Sequence, residues 1–288
     1  MAISPFPWLR VGHWTDGDAK TGCTVIRFDG DVVASGEVRG GAPATREFAL
    51  LEPTRLVESI NAVCLSGGSA FGLAAADGAL TALQADGIGY PTAHGVVPIV
   101  IGMSLYDLGV GARDIWPGAT EGEIATRDAS QEFDLGLIGA GAGATVGKWR
   151  GPDAARSGGL GFSVVAKGAV TVCAIVVVNA VGDIVGGTDV AAHVASGEFD
   201  WPDAPSALRE NTTIGVIATN ARVSKTECRT LAEAGHDGLA RALVPAHGPT
   251  DGDALVAVAR PEVNADLSHL RILAAAAIEQ AIRVVAVP

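Results

Sequence analysis

Apolar residues fall along this chain in two rhythms. Short runs rich in Val, Ile, Leu and Cys recur at Cys23–Phe28, Val32–Val38, Ala62–Ser66, Val97–Ile101, Gly161–Val165, Val170–Val178, Ile214–Thr219 and Ala254–Ala259. Several are apolar on consecutive positions, as expected of strands covered on both faces. Helical patterns lie between some of them. Ser69–Ala85 is rich in Ala and Leu, and Glu121–Phe133 is amphipathic. Ser224–Ala242 opens on Ser224 with Glu227 three residues on, the signature of a capping box. Asp266–Val284 carries Leu267, Leu270, Ile272, Leu273, Ile278 and Ile282 as a core-facing stripe. Strands come in pairs and the longer helices follow them, instead of alternating one by one. That order predicts a layered α+β architecture, two packed sheets covered by helices. No internal repeat is visible. The polar segment Ser196–Glu210, with Pro202 and Pro205, reads as an exposed, mobile connection that ends just before Asn211.

Composition narrows the function. With 288 residues and 48% hydrophobic content, the chain can bury a sizeable core. Aromatics make up only 5% and Gly reaches 38 residues, so the core is aliphatic, with backbones approaching closely. A net charge of −12 argues against nucleic acid or an anionic membrane as partner, since both reward Lys and Arg. The most apolar stretch, Ala169 to Val181, is too short to span a bilayer and reads as a buried strand. The N-terminus has no basic segment followed by an apolar one, so no signal peptide is read there. Cys23, Cys64, Cys173 and Cys228 form no C-x-x-C pair and read as buried thiols of a reducing cytosol.

Several motifs fall short of their usual chemistry. Gly139-Ala140-Gly141-Ala142-Gly143-Ala144 loosely fits a dinucleotide fingerprint, but no Asp or Glu lies near 20 residues beyond Gly139, where a ribose contact belongs. Gly147-Lys148 ends like a phosphate loop, yet Trp149 stands where a metal-binding Ser or Thr is needed. Gly67-Gly68-Ser69-Ala70-Phe71 lacks the last Gly of a nucleophile elbow and reads better as close strand-to-helix packing. His13, His94, His193, His236, His247 and His269 form no H-x-H or H-E-x-x-H pair, so each reads as a surface or structural histidine, and no metal or organic cofactor is expected.

The stretch Asn211-Thr212-Thr213-Ile214-Gly215-Val216-Ile217-Ala218-Thr219-Asn220 joins a polar segment to a buried strand, with hydroxyls at the junction. Of the five asparagines, only Asn211 precedes Thr; the other four precede Ala. A hydroxyl placed there can attack the preceding carbonyl, and hydrolysis of the resulting ester frees a new N-terminus. The freed Thr carries nucleophile and base together, because an α-amine titrates near pH 7.7–8.0. A plain strand-initiating Asn-Thr is the alternative reading of the dipeptide.

Around it the chain carries further segments in order: T-G-C-T-V-I at Thr21, R-G-G-A-P-A-T-R-E at Arg39, C-L-S-G-G-S-A-F-G-L at Cys64, S-L-Y-D-L at Ser104, G-A-G-A-T-V-G-K at Gly141, V-V-V-N-A-V-G-D at Val176 and D-G-D-A-L-V-A-V at Asp251. With these the chain resembles the P1 family of peptidases, from about Gly22 to about Glu279. That family includes L-aminopeptidase/D-amidase/D-esterases, β-peptidyl aminopeptidases and nylon-oligomer endo-hydrolases. The resemblance implies one hydrolase domain over residues 1–288, a four-layer αββα sandwich of the N-terminal-nucleophile kind, self-processed into residues 1–211 and 212–288. It also implies a homo-oligomer, commonly a tetramer, acting on small amides or peptides. Thr212 matches the nucleophile; Lys148 and Asn179 match residues that contact it and stabilise the oxyanion; Tyr106 matches a cleft tyrosine; Asp251 and Asp253 match an acidic pair. In the aminopeptidase members the nucleophile is Ser and the pair is Ser and Glu. Thr with two Asp resembles the nylon-oligomer branch. Each residue also has a plain reading: a solvated Lys, a capping Asn, an Asp-Gly-Asp turn and a core Tyr. The rivals to an amide hydrolase are a nucleotide-dependent oxidoreductase using Gly139–Ala144 and a non-catalytic oligomeric scaffold.

Overall fold

In the computed structural model, residues 1–185, 196 and 211–286 are described. Apart from Ser196, the segment read as a mobile connection, Ser196–Glu210, lies outside them. Nine strands are hydrogen-bonded into one sheet: β1 (Leu9–Asp16), β2 (Thr21–Val38), β3 (Ala44–Arg46), β4 (Ser59–Ser66), β5 (Val100–Ser104), β6 (Gly159–Lys167), β7 (Val170–Asn179), β8 (Thr212–Ala221) and β9 (Ala254–Val263). Their order is β6-β7-β8-β9-β2-β4-β5-β3, with β1 also paired to β2. The pairs β8–β9 and β4–β5 are parallel and the rest antiparallel.

Two packed sheets were expected, and what joins them is β2. The sequence reads as two strands broken at Asp29-Gly30-Asp31. The structure runs through that break as one strand, with Gly30 at φ 94° and the register shifting between Arg27 and Val32. Such an irregularity bends a strand without ending it. The first half of β2 pairs with β1 and β4; past the bend β4 continues only to Val32 and Val33, and β9 pairs along Val33–Val38. The sheet therefore doubles over on itself, and its two halves enclose a core.

Side-chain alternation then makes three cores. Cys173, Ile175 and Val177 of β7, with Ile214, Val216 and Ala218 of β8 and Val256 and Val258 of β9, face Ile26, Phe28, Val63, Leu65, Ile101 and Met103 of the other half. Intervening residues such as Val172, Ala174, Val176, Ile217 and Leu255 face outward. There they meet two helices, α3 (Lys225–Ala242) and α4 (Leu267–Arg283), through Leu231, Leu239, Leu270 and Ile278. On the opposite side, α1 (Ala75–Ala85) and α2 (Ala119–Asp128) cover Cys23, Val25, Ala62 and Cys64. The layers are thus α, β, β, α.

Helix α3 starts where the capping box predicts: Ser224 Oγ accepts the Glu227 N–H at 3.3 Å, and Glu227 Oε2 accepts the Ser224 N–H at 2.7 Å. Helix α2 is shorter than the sequence pattern. Ala129 turns to extended backbone, Ser130 bridges to Val11, and Phe133 is drawn to the inter-sheet core, edge-on to Phe162 at 5.2 Å. Ile272, expected in the α4 stripe, is 66% exposed because the buried row runs through Leu270, Ala274, Ala277 and Ala281. All four cysteines are buried free thiols, and burial pushes Cys64, Cys173 and Cys228 up to about 12, which makes them poor nucleophiles. No described helix is long and apolar enough to cross a membrane.

Candidate active site

Strand directions bring the candidate residues together. Because β7 and β8 are antiparallel, the last residue of β7, Asn179, lies directly opposite the first of β8, Thr212. Because β8 and β9 are parallel, the residues preceding each strand run side by side, and Asn211 pairs with Asp251. Three sheet positions far apart in sequence therefore meet at one strand end. Thr212 and Asn179 share the alternation of Ile214 and Val177, so both lie on the inter-sheet side.

Thr212 is only 5% exposed in the uncut chain. Its Oγ1 hydrogen-bonds the carbonyl oxygen of Asn211. That same oxygen accepts the backbone N–H of Gly252 at 2.9 Å. A Cβ at position 252 would stand 2.6 Å from Thr212 Oγ1, so the approach needs glycine. The R-G-G-A segment shapes this loop from outside: the N–H groups of Arg39 and Gly40 donate to the Asp253 carbonyl, and that of Ala42 donates to the Asp251 carbonyl. A Cβ on Gly40 would lie 2.2 Å from the Asp251 carbonyl oxygen.

Asn179 is wholly buried and acts as a hub. Its Oδ1 accepts Lys148 Nζ at 3.0 Å and the Thr145 N–H at 3.0 Å, and its Nδ2 donates to the Tyr106 carbonyl at 3.0 Å. Lys148 Nζ also reaches the Asn179 carbonyl at 3.2 Å. Lys148 is placed by Gly147, at φ 76°, whose N–H donates to Gly182. Tyr106 thus contributes its backbone carbonyl to the hub. Next to it, Asp107 is buried and accepts the Gly68 N–H and the Thr21 hydroxyl, each at 2.7 Å. This ties the S-L-Y-D-L and S-G-G-S segments together and bears out close packing at Gly67–Ser69.

The Gly139–Gly141 turn does not fit a nucleotide loop. The N–H groups of Gly139 and Ala140 donate to Thr15 Oγ1 and Thr24 Oγ1, and those of Gly141, Ala142 and Ala144 donate to nearby carbonyls. The turn packs its glycines against β1, β2 and β6, so these amides are already engaged and cannot cradle a phosphate.

The acidic pair divides between two directions. Asp251 Oδ2 accepts the Gly248 N–H at 2.7 Å. Asp253 turns to β8 and His247: Oδ1 accepts the Thr213 N–H at 2.7 Å, and Oδ2 accepts both the N–H (3.2 Å) and Nδ1 (2.9 Å) of His247. Burial and then the neighbouring charge of Asp253 push Asp251 up to about 7, against the hydrogen bonds it accepts and the charge of Lys148.

These segments identify the chain. It matches peptidase family S58 over residues 2–287. The chain belongs to that family. An uncharacterized aminopeptidase of Mycobacterium bovis is 40% identical over 285 residues, covering 90% of this chain and 81% of the relative. A 6-aminohexanoate-oligomer endohydrolase of a Kocuria species is 31% identical over 282 residues, covering 90% and 75%. Among solved structures, the L-aminopeptidase D-Ala-esterase/amidase of Ochrobactrum anthropi, described as a variant of the Ntn hydrolase fold, superposes with a TM-score of 0.75. It covers 99% of this chain and 85% of its own at 18% identity. A Burkholderia β-aminopeptidase superposes at 0.72 and 22% identity, over 98% and 84%. The S58 chain is accordingly an amide-bond hydrolase with an Ntn-type α+β fold, and its relatives include proteins named for aminopeptidase and for oligo-amide hydrolase activity.

Two contributors at this S58 site escape sequence reading. Gly252 acts through a backbone N–H, which its place inside Asp-Gly-Asp does not announce. His247 forms no metal-binding spacing and reads as structural, yet its ring bonds Asp253 and meets the His236 ring edge-on at 4.9 Å. The one available signal is His247 standing four residues before Asp251 and six before Asp253 in A-H-G-P-T-D-G-D.

Proposed function

We propose that this chain cuts itself between Asn211 and Thr212 and then hydrolyses small amides or short peptides with Thr212 as an N-terminal nucleophile. The observation that carries the reading is the Thr212 hydroxyl lying on the Asn211 carbonyl, whose oxygen is held by the Gly252 N–H. In the first step Thr212 Oγ1 bonds to the Asn211 carbonyl carbon and gives its proton to a base, a role we assign to Asp251, whose backbone runs beside Asn211. The negative charge that develops on the carbonyl oxygen is met by the Gly252 N–H. The C–N bond then breaks, the nitrogen takes up a proton, and an ester links Asn211 to Thr212. Water attacks the ester, leaving the Asn211 carboxylate and a Thr212 with a free amine.

The same groups serve turnover. The Thr212 amine accepts the hydroxyl proton as Oγ1 attacks the substrate carbonyl. The leaving amine departs protonated, and water resolves the acyl-enzyme. Lys148 and Asn179, opposite Thr212, supply positive charge and an amide donor to the oxyanion. Tyr106 lines the cleft and anchors Asn179 through its carbonyl. A nucleophile set at the mouth of a doubled sheet favours small amides over folded proteins. The resemblance to the nylon-oligomer branch, and relatives named for aminopeptidase and oligomer hydrolysis, support the same class. The reading also includes a cytosolic homo-oligomer, by analogy with the family.

The test is denaturing mass spectrometry of freshly purified protein. Fragments of residues 1–211 and 212–288 are expected, and Thr212→Ala should stay full length. Cleavage unchanged in Thr212→Ala would assign the cut to an external protease. Processed enzyme is then assayed on aminoacyl p-nitroanilides, β-amino-acid peptides, oligomers of 6-aminohexanoate and a denatured protein. Cleavage of the denatured protein alone would overturn the substrate class, and full processing with no activity on any of them would favour the scaffold.

A further inference from the structure

Beside the acidic pair lies an edge-on pair of histidines, His236 buried and His247 half-buried, that the proposed mechanism does not use. His247 occupies the left-handed region, at φ 57°. Its own N–H and that of Gly248 follow one another, and each takes an oxygen of a different carboxylate, Asp253 and Asp251. Two successive amides of one turn thus hold both members of the acidic pair. The ring adds a second contact: Nδ1 lies 2.9 Å from Asp253 Oδ2, while Nε2 lies 3.4 Å from the His236 carbonyl oxygen. Both ring nitrogens therefore face oxygen acceptors. A neutral imidazole has one N–H and would turn a lone pair on one of them; an imidazolium satisfies both.

We propose that His247 stands as an imidazolium between Asp253 and the His236 carbonyl, and is the positioning residue that keeps Asp253 a pure acceptor aimed at the Thr213 N–H. Proton exchange with Thr212 is then left to Asp251. Asp253 accepts three hydrogen bonds, from the Thr213 N–H and from His247 twice, and donates none. By holding that N–H it fixes the start of β8 and with it the residue that carries the nucleophile. Two cations then flank the acidic pair, Lys148 on the Asp251 side and His247 on the Asp253 side.

The surroundings agree. From its own loop, Asp251 and Asp253 face His247. From α3 come His236 and Asp237. From the end of β2 and just past it come Glu37 and Arg39; among the described residues Arg39 is the opposing charge, and its guanidinium is drawn off by Glu37 at 3.2 Å and Asp237 at 3.4 Å. Burial disfavours a charged His247 ring, but the hydrogen bond and charge of Asp253 outweigh it, and the ring titrates above its ordinary value. His236 Nε2 donates to the Glu37 carbonyl, 3.1 Å away, and burial pushes the ring down to about 4, so the pair holds one positive ring and one neutral ring.

The catalytic half of this inference rests on Thr212 as nucleophile; the charge state of His247 does not. The first measurement is therefore made on the full-length Thr212→Ala chain with ¹⁵N-labelled histidine, the His247 signals being assigned by His247→Asn in the same background. Both ring nitrogens should be protonated at pH 7.5, and Asp253→Asn should return the ring to a neutral tautomer. A neutral His247 ring at pH 7.5 would overturn the proposal. The second measurement is the pH profile of kcat/KM in the processed enzyme. His247→Asn keeps a donor and tolerates the left-handed backbone, so the fold is retained while the charge is lost. Its acidic limb should move up by about one pH unit, with the loss in kcat and little change in KM. His247→Ala should lose about tenfold more turnover. A limb unmoved in both variants would strike the positioning role alone, whereas turnover persisting in Thr212→Ala would strike the nucleophile and leave the ring assignment standing.

Discussion

Asn179 and Thr212 face each other across neighbouring antiparallel strands, at the point where β7 ends and β8 begins. Residues directly opposed in this way hold their Cβ atoms about 4.5–5.5 Å apart. The pairing sets the amide hub, and the lysine bound to it, beside the hydroxyl before any substrate arrives. Nothing in the loops has to fold over for this to happen; it follows from strand register. The precision of the candidate site is therefore inherited from the buried sheet, whose residues Val176 to Val178 are fully covered.

The hub predicts a split between two substitutions. Lys148→Met removes a cation that is only half-buried, so folding stability should change little. Turnover and processing should both fall by about 10²–10³, as for loss of an oxyanion donor. Asn179→Ala should lose activity as well, but it also removes the fully buried amide that bonds the Tyr106 carbonyl and the Thr145 N–H and should cost about 1–3 kcal/mol of stability. Thermal unfolding run beside the assays separates the two. Near-wild-type turnover in Lys148→Met would remove Lys148 from the oxyanion role.

Gly252 offers a sharper steric test. An added methyl would stand 2.6 Å from Thr212 Oγ1 and 3.0 Å from the Ala42 carbonyl oxygen. Gly252→Ala should fold, since residue 252 begins no helix or strand, but it should displace the hydroxyl from the Asn211 carbonyl. Intact mass is expected to show accumulated full-length precursor. Complete processing of this variant would show that the close approach is dispensable.

Sequence patterning reached the layered α+β plan because β7, β8 and β9 are apolar on consecutive positions and the longer helices follow paired strands; the opposite faces of those strands feed the two cores on either side of them. It misjudged β2, where Asp29-Gly30-Asp31 has the composition of a turn. Whether such a tripeptide reverses the chain or only bends it depends on the strands alongside, here β9 and β4, which local sequence does not contain. The site residues were legible for a different reason. Lys148, Asn179, Thr212 and the acidic pair stand in segments whose order resembles a known family, although singly each has a plain structural reading. Gly252 and His247 stayed hidden because one acts through its backbone and the other through a tertiary contact with α3.

Burial of His236 predicts how stability responds to acid. Its ring titrates near 4 in the folded chain and near 6.5 when unfolded. Between those values the unfolded chain binds the extra proton, so stability is lost as pH falls through this window. The single-site contribution is about 3 kcal/mol. His236→Gln can preserve the contact with the Glu37 carbonyl without titrating. Unfolding midpoints taken from pH 4 to 8 should drop less steeply on the acid side in His236→Gln than in the wild type. Parallel curves would mean that His236 is already charged or is exposed before unfolding.

Asp251 should set the pH dependence of self-cleavage. Burial, then the charge of Asp253, raises it from 3.8 to about 7, so it holds a proton through mildly acidic pH and loses it near neutrality. A general base must be deprotonated to accept the Thr212 proton, and it is most effective when it titrates near the working pH. Processing should thus be slow below pH 6, rise about tenfold per pH unit toward 7, and level off above it. The measurement uses precursor made by cell-free synthesis, moved into buffers from pH 5.5 to 8.5 and followed by intact mass. Asp251→Asn should process about 10²-fold more slowly or worse, and the rise near pH 7 should vanish. The sign is diagnostic. A base held at its ordinary carboxylate value would leave the rate flat across this range, and the Thr212 amine does not exist until the bond is cut. A rise near pH 7 that survives in Asp251→Asn would transfer the proton to another group.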